Sequence, residues 1–273
     1  MKLLSALFIF LIVVSFNSFL QAQEVFVPAA RSQSLADITA CLNDSWSAFG
    51  NQAGLARIKH PTISGTFQNR FLIKEISTSA GIFIFPVQSS IWAVSLYQFG
   101  QTNFRHERYG LSYARALSPR LHFGLQFNYY RFFLAEENEY LGTYGMELGF
   151  QYQLTSTLLL GIHTLNPYKT GLKTYSATYD YPSNINMGAA VEISKSFDLF
   201  AEIEKYFSYP LSVKSGIEYN IMNKLYLRTG ISGKPNQLSA GLGFELRKLK
   251  IDLAVAYNQY LGNSPSASFQ YQF

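Results

Sequence analysis

The sequence predicts an all-β protein: a transmembrane antiparallel β-barrel of about fourteen strands, with a short N-terminal helical hatch in its lumen. Three observations carry this expectation. The 273-residue chain is 16% aromatic but only 14% charged, where a soluble domain carries about 25% charged residues. An export signal opens the chain. From Pro61 onward, segments of about ten alternating residues are separated by turns, as in strands that face lipid on one side and a lumen on the other.

The first element is the stretch MKLLSALFIFLIVVSFNSFLQAQ. Lys2 is a short basic region, Leu3–Val14 an apolar core, and Ala22 a small residue for cleavage, so residues 1–22 read as a secretory signal peptide. The expected location is the bacterial outer membrane. Residues 23–59 form the segment expected to be the hatch, and residues 60–273 the barrel. Mean hydropathy near zero excludes a bundle of transmembrane helices, but a barrel hides its apolar face in that average. Cys41 is the only cysteine, which rules out an internal disulfide and leaves it as a small apolar packing residue. Net charge is +5 with both signs mixed along the chain, so no nucleic-acid footprint is present.

The strands follow. In 146–154, Met146, Leu148, Phe150, Tyr152 and Leu154 alternate with Glu147, Gly149, Gln151 and Gln153. Leu121, Phe123, Leu125 and Phe127 alternate with His122, Gly124, Gln126 and Asn128, and Ile251, Leu253, Val255 and Tyr257 with Asp252, Ala254, Ala256 and Asn258. Side chains alternate between the faces of a strand, so one face is apolar throughout and outer-membrane lipid is its natural solvent. A soluble sandwich would put its bulky residues inside, whereas here the opposite face is small and polar. The expected strands are 62–71, 78–86, 90–99, 106–117, 120–132, 142–154, 156–165, 184–194, 197–206, 210–221, 224–232, 236–246, 249–259 and 264–273. Twelve is the competing count, because 62–86 alternates poorly. Alternate connections are tight (PVQS, LSPR, LTST, SKS, IMN, RKL), and the others are longer, as periplasmic turns and extracellular loops should be. The longest, 166–183, carries four tyrosines and is expected to fold over or into the mouth. The chain ends SFQYQF, with Phe269, Tyr271 and Phe273 on one face. This reads as an aromatic girdle, and it has the look of a C-terminal barrel-insertion signal.

The segment before the first strand raises a different question. Ser34-Leu35-Ala36-Asp37 has the form of a capping box, which predicts a short helix with Leu35, Ile38, Cys41 and Leu42 on one face and an end at Asn43-Asp44. The segment is too apolar for a free tail and too short for its own core. A fourteen-stranded barrel has a lumen that needs filling. Gly145, Gly149, Gly161, Gly188, Ala190, Gly216, Gly230, Gly241 and Gly243 lie at lumen positions and leave room for a plug pressed against the wall. Trp46 and Phe49 either glue that plug to the wall or line an apolar pocket on a transport path.

Ala30-Arg31, Asn43-Asp44, Trp46 and Asn51-Gln52-Ala53-Gly54-Leu55-Ala56 together resemble the N-terminal segment of the FadL-like outer-membrane transporter superfamily. Within it they are most similar to the PorV/PorQ-like proteins associated with type IX secretion. Gln52 stands where that family has proline, and the family's Gly-rich patch before the helix is absent. The resemblance implies a hatch built on Trp46, Phe49, Asn51, Ala53 and Gly54. It also implies either passage of a hydrophobic or amphipathic small-molecule ligand or a partnership with a secretion-system protein.

Catalytic chemistry is the remaining class. His60 precedes the barrel, His106 is expected in a loop and His122 near a periplasmic turn, which leaves His163 as the lumen histidine. No nucleophile–base pair accompanies it. Lumen-side carboxylates are Glu147, Glu192, Glu202, Glu204, Glu218, Glu245 and Asp252, with Lys214 and Arg228 on the same face. They are expected to form wall and hatch ion pairs. Glu202 and Glu204 share a face and would repel unless a cation lies between them. No metal-ligand spacing or nucleotide motif occurs, so no enzyme activity, metal or cofactor is expected.

Overall fold

A computed structural model describes residues 29–273 except 103, 136–138, 174–177, 223 and 234–235. Residues 1–22, expected to be a signal peptide, and residues 23–28 lie outside the described residues. Fourteen strands close into one barrel. In chain order they begin with β1 (Thr62–Gln68), β2 (Thr78–Val87), β3 (Ser90–Gly100), β4 (Phe104–Ala116), β5 (Leu121–Leu134), β6 (Glu139–Gln153) and β7 (Leu158–Leu165). A two-stranded sheet separate from the barrel sheet follows, β8 (Gly171–Lys173) with β9 (Thr178–Asp180). The barrel resumes with β10 (Asn184–Ser194), β11 (Phe197–Tyr206), β12 (Ser212–Ile221), β13 (Leu225–Gly233), β14 (Asn236–Leu246), β15 (Leu249–Asn258) and β16 (Gly262–Gln272). Neighbours in sequence pair antiparallel, β7 pairs with β10, the next barrel strand, and β1 pairs with β16 to remove the last open edge.

Period-two patterning explains the faces. On β5, His122, Gly124, Gln126, Asn128 and Tyr130 are buried while Phe127 is exposed. On β15, Asp252, Ala254 and Ala256 are buried while Leu253, Val255 and Tyr257 are exposed. Phe269 and Tyr271 also face outward. Short turns at 88–89, 117–120, 154–157, 195–196 and 247–248 gather at the end that holds residues 58–61 and Phe273, where Phe273 N donates to Pro61 O.

The count is fourteen, and the stretch that argued for twelve has a physical reason. In β2 both faces are apolar: Phe83 is exposed, while Ile82 and Ile84 turn inward. There they pack with Ile91, Ala93 and Tyr97 of β3 against Trp46, Phe49 and Leu55. An inner face that meets an apolar neighbour has no need of polar residues, so alternation fades. The expected first strand, 62–71, stops at Gln68, and short 3₁₀ turns occupy Arg70–Leu72 and Lys74–Ile76.

The helix expected from Ser34 does not form. Among the described residues of this segment the only α-helical turn, α1 (Ala30–Ser34), ends where that helix was to begin. Ser34 Oγ donates back to Arg31 O at 2.7 Å instead of capping forward, and Ala36 and Asp37 take positive φ. The wall supplies the missing partners: Glu202 Oε2 accepts from the backbone N–H of Thr39 and Ala40 at 2.8 and 2.7 Å. Backbone groups satisfied by side chains from another strand do not need a helix.

Candidate functional site

Residues 29–57 are almost wholly buried against the inward side of the barrel. After α1 the chain makes two 3₁₀ turns, Ser45–Phe49 and Gln52–Arg57. Asp44 and Asn51 cap them: each side-chain oxygen accepts from a backbone N–H two residues on.

Each residue of Asn51-Gln52-Ala53-Gly54-Leu55 has a specific contact. Asn51 Nδ2 donates to Ala40 O at 2.7 Å and to Phe150 O at 3.0 Å, which ties segment to wall. Gln52 Nε2 donates to Glu147 Oε2 at 2.8 Å. The backbone at Ala53 lies where a side chain at Gly124 would stand. A Cβ at Gly54 would collide with Leu42 O and lie 2.5 Å from Ser47 Oγ, so only glycine fits. Leu55 joins the apolar cluster with Trp46 and Phe49. Close approaches of the same kind occur at Gly149, Gly161, Gly188, Gly216, Gly230 and Gly241, which face Asn51, Ala40, Leu35, Ala36 or Ser34. Gly145 and Gly243 meet wall residues instead, Tyr130 for the first and Arg228 and Asp252 for the second.

The opposite flank is held by charge. Arg31 makes a two-pronged bond to Glu218, at 2.9 and 2.8 Å, and donates to Asp44 at 2.8 Å. Arg228 bonds Glu218 from the wall and Asp252 at 2.7 Å. Lys214 lies between Glu202 and Glu204, at 3.2 and 3.0 Å, and donates to Asp37 O at 2.9 Å. It is the cation that the Glu202/Glu204 pair requires. Burial raises the carboxyl of Asp37, with Lys214 opposing, and burial pushes the Cys41 thiol up to about 12.

Between this segment and the loop end of the strands lies a cavity of about 50 Å³. Its floor includes Asp37, Thr39 and Phe49, and its walls include Arg108, Glu147, His163, Asn184, Asn186, Glu204, Ser212, Lys214 and Gln237. Trp46, Asn51, Ala53 and Gly54 are not among the lining residues. Trp46 stacks on Phe49, with ring centroids 6.5 Å apart, inside the apolar cluster, so of the two aromatic residues only Phe49 reaches the cavity. Glu202 and Glu218 hold the segment, and Arg228 holds Glu218 from the wall. Glu192 is exposed, and Glu245 pairs with Tyr226 and Lys250 near the short-turn end.

One histidine, His106, moves from its expected place, while His122 stands beside the short 117–120 turn as expected. His106 lies within β4 and His122 faces inward on β5, so both join His163 in the lumen. His106 stacks on Phe132 at 4.3 Å beside Tyr130 and Tyr181. Tyr181, at the end of the long loop, stacks on Tyr130 at 3.8 Å and brings that loop into the mouth. His163 Nε2 sits 3.0 Å from Glu147 Oε2. Arg108, which pairs with Glu147 at 3.2 Å and lies over the Phe49 ring, is a lining residue absent from the expected set. So are Asn184, Asn186, Ser212 and Gln237. The signal for the asparagines was present, since both alternate with Ile185 and Met187. Among the described residues no group of three or more His, Cys, Asp or Glu is placed to hold a metal.

A closed fourteen-stranded barrel with its N-terminal segment turned inward is a FadL-type barrel fold. The structure is similar to a CymD monoaromatic hydrocarbon channel (TM-score 0.74, 13% identity, 92% of this chain and 99% of that one). It is also similar to the Ralstonia pickettii toluene transporter TbuX (TM-score 0.66, 12% identity, 92% and 99%). A third similar structure is a Pseudomonas aeruginosa FadL homologue (TM-score 0.68, 12% identity, 94% and 100%). The first is a channel and the second a transporter, and at such identities the likeness is one of fold. No protein-family model and no curated protein matches the chain.

Proposed function

We propose that the protein is an outer-membrane channel for a hydrophobic or amphipathic small molecule, with residues 23–59 as its hatch. The observation that carries this reading is the cavity between residues 29–57 and the loop end of a barrel whose fold is shared with hydrocarbon channels. The apolar outward faces support an outer-membrane location. A ligand arriving from the loops meets Tyr181 and Tyr130, then the cavity, then a segment that must shift before it can pass. The likeness to the PorV/PorQ-like branch rests on the N-terminal motif alone, and secretion partnership is the second reading. Here Gln52, in place of proline, donates a hydrogen bond to Glu147.

The test is entry of a radiolabelled hydrophobic probe into liposomes that carry the protein. Wild type is expected to speed entry over empty liposomes. Phe49→Asp should abolish the gain while the barrel still assembles. Wild-type liposomes no faster than empty ones, together with a stoichiometric protein partner on purification, would move the function to secretion.

A further inference from the structure

The cavity is small and contains unpartnered polar atoms. At about 50 Å³ it holds roughly three to five oxygen-sized atoms at about 10–15 Å³ each, whereas an apolar cavity that takes benzene measures about 150 Å³. An aromatic ring does not fit, but a polar head does. The wall chemistry points the same way. Asn184 Oδ1, Asn186 Oδ1 and Ser212 Oγ are buried and find no hydrogen-bond partner among the described residues, and the same holds for Arg108 Nε and His163 Nδ1. All five belong to residues that line this one cavity.

The first three form a continuous patch. Asn186 is opposite Glu204 on the neighbouring strand, Glu204 is opposite Ser212, and Asn184 lies two residues along on the same face. The Asn184 amide is set by Glu204, whose carboxylate only accepts. Asn184 Nδ2 donates to Glu204 Oε1 at 3.3 Å, and Asn186 Nδ2 to Thr39 Oγ1 at 3.4 Å. That leaves both carbonyl oxygens as acceptors. Ser212 Oγ can donate or accept a hydrogen bond, and Arg108 Nε can only donate.

We infer that this cavity is a subsite for the hydroxyl-bearing head of an amphiphile, an inference that rests on the channel reading above. A hydroxyl both donates and accepts, so a head with two hydroxyls can donate to the two asparagine oxygens and still accept from Arg108 Nε. A bare hydrocarbon would leave those buried groups unpaired, and that is costly. A carboxylate could take only Arg108 Nε and Ser212 Oγ, and it would face the asparagine oxygens and the like charges of Glu147 and Glu204. Lys214 has committed its three donors to Glu202, Glu204 and Asp37 O, and Arg108 already faces Glu147 and Ala48 O. An ammonium would sit beside these two cations.

The test is a titration of the purified full-length protein, in an amine-oxide detergent without hydroxyls, with 1-monodecanoylglycerol, decanoate, decylamine and decane, followed by native mass spectrometry. The glycerol ester should half-saturate at a concentration at least tenfold below the other three. Ser212→Ala and Asn186→Ala should each reduce that preference at least threefold, and the pair should abolish it. Heat-modifiable migration on gels confirms that each variant is a folded barrel, and Ser212→Ala is the milder change should the asparagine variant fail to assemble. Equal or tighter binding of decane, decanoate or decylamine overturns the inference and leaves the channel reading standing. An unchanged preference in folded Ser212→Ala also overturns it. No saturable binding of any probe overturns both.

Discussion

The N-terminal segment meets the barrel in two different ways on its two flanks. Against β2 and β3 the contact is apolar: Trp46, Phe49 and Leu55 lie on Ile82, Ile84, Ile91 and Tyr97. Against β11 to β15 it is largely ionic and hydrogen-bonded, through Arg31 on Glu218, Glu202 on two backbone N–H groups, and Lys214 on Asp37 O. Apolar contact scales with buried area and has no direction. The ionic flank fixes position atom by atom but carries the cost of desolvating each charge. The difference assigns anchoring to one side and register to the other. It also leaves the ionic side as the one that can let go and be rehydrated, since charged groups released from their partners are readily solvated.

Substitutions can break this comparison, and the expected effects fall in order. Glu218→Ala should be the most damaging, because it takes one of two carboxylates from each of two buried arginines, leaving Arg31 with Asp44 and Arg228 with Asp252. Removing one partner of a buried pair costs about 3–5 kcal/mol, to be read as a lower urea midpoint for unfolding from vesicles. Leu55→Ala on the apolar flank should cost about 2–5 kcal/mol, and it should leave the ionic flank intact, seen as unchanged protease resistance at Arg31. Asn51→Ala removes a cap worth about 1 kcal/mol together with the tie to Phe150 O, so protease should gain access to 51–57 before the barrel unfolds. Tyr181→Ala should change stability least, by about 0.5–1.5 kcal/mol for the lost ring pair, while probe binding becomes faster because the mouth is less covered. If Leu55→Ala also opened Arg31 to protease, the two flanks would act as one unit and the division between them would fail.

Much of the barrel was legible because strand alternation is a local signal. The segments around 121–128, 146–154 and 251–258 each display both faces within a few residues. Legibility failed where the environment was not lipid on one side and open lumen on the other. In β2, Ile82 and Ile84 face Trp46 and Leu55 rather than a wet lumen, so the strand reads apolar on both faces. In residues 35–42 the partner of the backbone is Glu202, 162 positions away from Ala40, and no local rule foresees a helix replaced by a distant carboxylate. The small lumen residues were readable as a set, but only the register shows which of them touch the N-terminal segment. The cavity was the least legible part. Arg108, Asn184 and Ser212 come from three strands, and each alone reads as an ordinary polar wall residue.

The central claim is that residues 29–57 sit within the barrel and must move for a ligand to pass. Ser45 Oγ and Ser64 Oγ lie 2.7 Å apart, one on the segment and one on β1, so cysteines at both positions are within disulfide reach. Burial holds the Cys41 thiol protonated, and a protonated thiol does not compete for the bridge. The decisive measurement is hydrophobic-probe entry into liposomes carrying Ser45→Cys/Ser64→Cys, oxidised and then reduced. The account predicts entry blocked when the bridge is formed and restored by reductant. Equal entry in the two states, with the bridge verified by mass spectrometry, would contradict it.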